Sequence, residues 1–187
     1  MKIAYEVLHQ VEGSGKYDEM VAAMTKMNEL VPAAQKAVVP EAIKFSIDYK
    51  DDNIIYTMGS GTAWSAAQQQ TICILMEMQW INSAVIHTGE FFHGPFEITD
   101  PDTAFLLLKS TGKTQALDNR AITFLNQYNK HHTVLDLEKY GAKELGSVSE
   151  YFDYDFHTAL LSVFNNLLAD MRNHPLSKRK YMWKYNY

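Results

Sequence analysis

Apolar positions along the chain change their period near residue 50. Before that point, Ile3 to Val11 and Tyr17 to Leu30 place apolar side chains three and four residues apart, the repeat of a helix with one buried face. Gly13-Ser14-Gly15 separates the two helices, and Pro32 and Pro40 stand where first-turn prolines restart helices. After Asp52 the pattern becomes short β-rich runs without proline, alternating with segments of helical length. Asn53 to Met58 is the first such run; it ends in Gly59-Ser60-Gly61-Thr62 and leads into a helical segment from Trp64 to Ile81. Ser83 to His87, Phe105 to Leu108 and Thr133 to Leu137 read as further strands, and Leu117 to Asn129 and Asp155 to Met171 have helical spacing.

Strands apolar on both faces and alternating with helices predict a mainly parallel sheet covered on both sides, an α/β three-layer αβα sandwich. Ligands of such sheets sit at the C-terminal ends of the strands, which points to the loops after Met58, His87 and Leu108. The chain divides into a leading helical segment (1–50), the α/β domain (51–172) and a basic, aromatic tail (173–187).

Composition narrows the function classes. A length of 187 residues with 47% hydrophobic residues is enough for one domain with a continuous core. The longest apolar candidate, Thr71 to Ile81, is interrupted by Glu77 and Gln79 and falls short of the ~18 to 20 residues of a membrane span. The start lacks a basic region followed by a long apolar stretch, so a cytoplasmic location is expected. A lone Cys73 can form neither an internal disulfide nor a cysteine zinc site. The net charge of −5 argues against nucleic acid as a partner.

Charge is also unevenly placed. From Asp51 to Leu108 there is no Lys or Arg, whereas Arg172, Lys178, Arg179, Lys180 and Lys184 gather near the C-terminus. An anion bound against the middle of the chain must draw its cations from elsewhere in the fold, from that tail or from another chain.

Four constellations can carry chemistry. Gly59-Ser60-Gly61-Thr62 lies between a strand and a helix, where small residues let backbone amides approach an anion; a tight turn capped by Ser60 or Thr62 has the same sequence. Glu77 is the only charge between Asp52 and Glu90 and has Cys73, Ile74, Trp80 and Ile81 as helical neighbours, so it either reaches solvent or acts as a tuned acid or base. The loop His87-Thr88-Gly89-Glu90-Phe91-Phe92-His93-Gly94-Pro95 supplies proton carriers in His87 and His93; a metal held by these with Glu90 lacks a matching remote ligand cluster. The tail either docks its aromatics with its lysines solvated, or sends one of Lys178 and Lys180 into the site.

Taken together, Gly59-Ser60-Gly61-Thr62, Glu77 and Gly89-Glu90-Phe91-Phe92-His93-Gly94-Pro95 resemble the second sugar isomerase (SIS) domain of two-domain aldose-ketose isomerases, among them the isomerase half of glucosamine 6-phosphate synthase. The specific feature is a Gly-Glu-x-x-His-Gly-Pro loop whose His93 follows Glu77 by sixteen residues. The ending, His174-Pro175 with its basic cluster and Tyr181-Met182, is similar to the fructosamine 6-phosphate deglycase branch.

The resemblance runs from about Asp52 to the C-terminus and implies a flavodoxin-like sheet, a phosphorylated sugar or fructosamine as ligand, and no cofactor or metal. It implies Glu77 as the base, His93 as an aid to ring opening, often presented to a neighbouring subunit, and Lys180 at the position of a ring-opening lysine. Gly59, Ser60, Gly61, Thr62 and Glu90 are the expected substrate-binding residues. The family's phosphate loop lies in the first SIS domain, so this chain is expected to act as a C-terminal half, as a homo-oligomer and with a possible separate first SIS domain. An isomerase or amino-sugar synthase half, or a non-catalytic sugar-phosphate-binding module, would have the same frame.

Overall fold

The computed structural model describes residues 2–186. Helix α1 (Lys2–Glu12) is followed by a turn at Gly13 (φ +64°), then α2 (Tyr17–Ala37) and α3 (Val39–Tyr49). The rest of the chain runs β1 (Ile54–Gly59), α4 (Trp64–Gln69), β2 (Asn82–His87), β3 (Phe105–Lys109), α5 (Gln115–Tyr128), β4 (His132–Asp136) and α6 (Asp153–Met171). The four strands pair in the order β2-β1-β3-β4, all parallel, with Ile54 opposite Asn82 and Gly59 opposite His87. This is the α/β sandwich expected from the alternation of runs, with the flavodoxin-like strand order that the resemblance implies.

Side chains alternate across the sheet as a pleated strand requires. Ile55, Leu106, Leu108 and Leu135 face a core shared with α2, α3, α4 and α6. Met58, Phe105, Leu107 and Ile86 face the other way, against Ala121 and Leu125 of α5 and the ring of Phe91. The leading helices are thus packed into the main core, through Met20, Ala34, Phe45 and Tyr49. Small side chains set the closest approach: a Cβ on Gly59 would lie 3.2 Å from Ala67 Cβ and 3.3 Å from Ala63 O, so glycine lets α4 close on β1.

Two expectations are corrected. Pro32 does not restart a helix; α2 continues through it. Its side chain is on the exposed face, and Met20, Ala23 and Ala34 on either side are buried, so packing holds the helix across the missing donor. Pro40 does sit in the first turn of α3.

The segment expected as one helix to Ile81 widens instead into a π-helix over Gln70–Met78 and stops there. Gln79 N donates to Ile74 O at 2.9 Å, and Trp80 ends the run in the left-handed region at φ +56°. The widening begins where two hydroxyls compete for one carbonyl, since both Thr57 Oγ1 and Thr71 Oγ1 donate to Ala67 O, at 3.1 and 2.9 Å.

Candidate active site

The strand ends are occupied by the protein's own carboxylates. Asp118, on the first turn of α5, accepts from Ser60 Oγ (2.7 Å), Thr88 Oγ1 (2.6 Å) and Ser110 N (2.8 Å). Asp153, at the start of α6, accepts from Thr62 Oγ1 (2.8 Å), Ser110 Oγ (2.9 Å), Thr111 N (3.0 Å) and Thr111 Oγ1 (2.6 Å). Beneath them His157 Nδ1 lies 2.8 Å from Asp153 O, and all three side chains are buried. Burial pushes the Asp118 carboxyl up, outweighing its three hydrogen bonds, and pushes His157 down against the pull of Asp153.

The hydroxyls of Ser60 and Thr62 therefore point inward. Gly61, left-handed at φ +51° and crowded by Thr114, and Thr62 are the exposed residues of the turn. A polar cavity of about 360 Å³ opens alongside, lined by Thr111, Gly112, Lys113, Ser147, Ser149 and Glu150.

The loop after β2 is anchored by aromatics. Phe91 is buried, and Phe91, Phe92 and Phe96 each pack edge-on against Phe124, at 5.6 to 5.8 Å between centroids. Glu90 and His93 are exposed on its surface, with His93 N donating to Glu90 O at 2.9 Å. His87 turns inward: its Nδ1 accepts from Gly89 N at 3.1 Å and its ring lies 5.2 Å from that of Trp64.

Glu77 belongs to a different place. It stands in the π-helical run, beside a cavity of about 410 Å³ walled by Met76, Trp80, Arg179, Lys180 and Tyr181. The tail makes that cavity by strapping itself over the helix end. Arg172 Nη1 donates to Lys50 O, and Gln79 Nε2 donates to His174 O at 2.8 Å. Trp80 meets the His174 ring edge-on at 4.6 Å and carries Lys178 Nζ 5.0 Å above its face. Arg179 Nη2 is 3.0 Å from Glu77 Oε1. Four buried polar atoms under this strap have no partner among the described residues: Gln79 Oε1, Arg172 Nε, His174 Nε2 and Arg179 Nε. Desolvation, with Lys178 and Arg172 nearby, holds His174 below its ordinary value.

The structure thus brings Glu77 and Lys180 together and leaves the other candidates elsewhere. Asn82, the first residue of β2, also walls the Glu77 cavity, whereas His87 at the other end of that strand pairs with Gly59. Five residue steps of about 3.3 Å, roughly 16 Å of strand, separate these ends, so the Glu77 cavity and the Gly59–Thr62 and Glu90–His93 groups lie toward opposite ends of the sheet.

Sequence reading missed Arg179 as the partner of Glu77, because its helical neighbours exclude a local cation and nothing in the tail's spacing marks which cation crosses. It also missed Asp118, Asp153 and His157, although Asp153 and His157 share the i,i+4 spacing of one helix face.

Comparison with known proteins follows the same lines. No protein-family model matches the chain. Fructosamine deglycase FrlB of Bacillus subtilis (strain 168) is 38% identical over 187 residues, which is 100% of this chain and 57% of FrlB. A Salmonella typhimurium LT2 protein proposed to be a phosphosugar isomerase superposes with a TM-score of 0.95 at 49% identity, over 98% of this chain and 57% of its own. The chain belongs to the sugar isomerase (SIS) domain family. The C-terminal domain of glucosamine-fructose-6-phosphate aminotransferase from Francisella tularensis shares the SIS fold, with a TM-score of 0.67 at 13% identity over 86% of this chain and 47% of its own. This SIS chain therefore spans 57% of the length of FrlB and of the Salmonella protein.

Proposed function

We propose that this SIS chain is the part of a fructosamine 6-phosphate deglycase that carries its acid-base carboxylate. The observation that carries this reading is Glu77, a half-buried carboxylate on a π-helical segment, facing a cavity that also receives Lys180. π-Helical widening recurs at functional sites because it re-aims side chains that a regular helix would stack.

The chemistry needs one base. Glu77 takes a proton from C1 of the open-chain fructosamine 6-phosphate while the C2 carbonyl oxygen takes one up, forming an enolamine across C1 and C2; a proton then returns to C2 as the amine N–H proton leaves. The resulting C1 imine takes up one water and splits into glucose 6-phosphate and the free amine. Lys180, exposed at the cavity rim, binds the phosphate or sugar oxygens.

His93 and Glu90 lie at the opposite end of the sheet from Glu77, so in this reading they serve the Glu77 cavity of a second copy, in a homo-oligomer. Gly59, Ser60, Gly61 and Thr62 supply the turn beside which the neighbouring ligand rests, and a first SIS domain supplies the main phosphate contact. Residues 1–50 form the interdomain segment, and the enzyme works in the cytoplasm. The 38% identity over the whole of this chain to a fructosamine deglycase favours this substrate over fructose 6-phosphate with ammonia.

Glu77→Gln tests it. In the assembled enzyme, turnover of a fructosamine 6-phosphate to glucose 6-phosphate should fall by roughly 10² to 10⁴, the usual worth of a general base, while glucose 6-phosphate binding stays within about threefold. Unchanged turnover in Glu77→Gln removes Glu77 from the mechanism.

A further inference from the structure

Three cations of the tail approach the end of the π-helical run, and each meets something different. Lys178 Nζ lies over the Trp80 ring at 5.0 Å and Lys180 Nζ over the Tyr181 ring at 5.4 Å, both on exposed side chains. Arg179 alone of the three reaches Glu77, with Nη2 at 3.0 Å from Oε1 and a side chain only 16% exposed.

Its guanidinium is held from behind. Nη1 donates to Leu176 O at 2.7 Å and to Lys178 O at 2.9 Å, which folds the side chain back onto its own loop. Lys184 Nζ donates to Arg179 O at 2.7 Å and fixes that loop from the other side. One guanidinium edge is thereby anchored to backbone while Nη2 is presented to the carboxylate, and Nε is buried without a partner among the described residues.

A glutamate has three rotatable side-chain bonds, and among the described residues Arg179 is the ion-pair partner of this carboxylate, with a cavity beside it. Packing fixes Leu75 and Gln79, which are buried, but Glu77 lies between them on the cavity side. We propose that Arg179 is the positioning residue for Glu77: its Nη2, 3.0 Å from Oε1, aims the carboxylate so that Oε2 accepts and returns the substrate proton.

This rests on the reading of Glu77 as the base. It adds that the base is aimed by the tail, so the C-terminal strap belongs to the reaction geometry and is more than a cover. Arginine suits this task better than lysine because its planar fork can hold backbone carbonyls with one nitrogen and a carboxylate with another. The effect acts through geometry: a base displaced by about 1 Å loses on the order of a hundredfold in rate with little loss of substrate binding.

The test compares Arg179→Ala, Arg179→Lys and Glu77→Gln in the assembled enzyme, with near-UV circular dichroism and melting temperature as checks of folding. Arg179→Ala is expected to lower kcat by about ten- to a hundredfold with KM changed less than about threefold, the signature of a mis-set base. Arg179→Lys should recover part of the loss. Added guanidinium ion at millimolar concentration should restore turnover to Arg179→Ala and leave Glu77→Gln inactive.

Wild-type kcat in a folded Arg179→Ala overturns the proposal, as does a loss that neither lysine nor guanidinium repairs. Where Arg179→Ala does not fold, Arg179→Gln replaces it, with the same two criteria. If Glu77→Gln keeps its turnover, the reading of Glu77 fails and the role of Arg179 fails with it. If Glu77→Gln is dead and Arg179→Ala is fully active, only the positioning role fails.

Discussion

The two ends of the parallel sheet are built on opposite principles. At the C-terminal ends of the strands, Asp118 and Asp153 accept seven hydrogen bonds between them from groups on three loops, and the cluster is buried. At the other end, Glu77 meets one guanidinium beside an open cavity, and four buried polar atoms nearby lack partners among the described residues. The first region has its donors satisfied by the chain itself, which makes it a clamp tying β1, β3, α5 and α6 together. The second leaves charge and apolar surface facing a cavity, which is what a binding site requires. At the switch point of this doubly wound sheet the hydroxyls of Ser60, Thr88 and Ser110 are turned onto the protein's own carboxylates.

Variants can separate these two roles. The largest effect on stability is expected for Asp153→Ala, which strands the donors of Thr62, Ser110 and Thr111; unfolding in urea should show a loss of about 3 kcal/mol or more. A loss below about 1 kcal/mol would mean that water or a neighbouring group replaces the carboxylate and that the cluster is not a clamp.

A pH effect of intermediate size comes from His157. Its folded-state value lies below the ordinary 6.5, so the unfolded chain takes up the proton first as pH falls. The stability due to neutral His157 is fully present above about pH 6.5 and declines below it, until the pH reaches the folded-state value. Denaturation curves of the wild type between pH 7 and pH 5 should show this slope, and His157→Gln should flatten it. Equal slopes in the two proteins would place the acid sensitivity elsewhere.

The smallest effect belongs to the strap. Trp80→Ala removes the ring between His174 and Lys178 and should cost about 1 to 2 kcal/mol. It should also weaken glucose 6-phosphate binding at the Glu77 cavity, measured by calorimetric titration, whereas Asp153→Ala, if folded, should leave that binding within about threefold. The reverse pattern would move the binding site to the strand ends.

Much of the architecture was legible because burial imposes periods. The runs at residues 53–58, 83–87, 105–108 and 133–137 became β1 to β4 within a residue or two, and α5 and α6 fell where the helical spacing put them. The π-helical widening was not legible; it begins where Thr57 and Thr71, fourteen residues apart, reach the same carbonyl. The continuation of α2 through Pro32 was hidden for a similar reason: a proline's local cost was offset by packing that only the folded core supplies.

For the site, sequence marked Glu77, Glu90, His93, Lys180 and the Gly59–Thr62 turn as chemistry-bearing, but not which of them share a place. The sequence by itself determined the α/β class, the strand-turn-helix unit and an isolated carboxylate without a local cation, since these follow from periodicity and from which residues lie within four positions of one another. The tertiary structure alone decided that Arg179 reaches Glu77, that Ser60 and Thr62 turn inward to buried carboxylates, and that Glu77 and His93 stand at opposite ends of the sheet. Those outcomes depend on contacts spanning dozens of residues, and an ion pair or buried hydrogen bond is set by distance in space, which spacing along the chain does not encode.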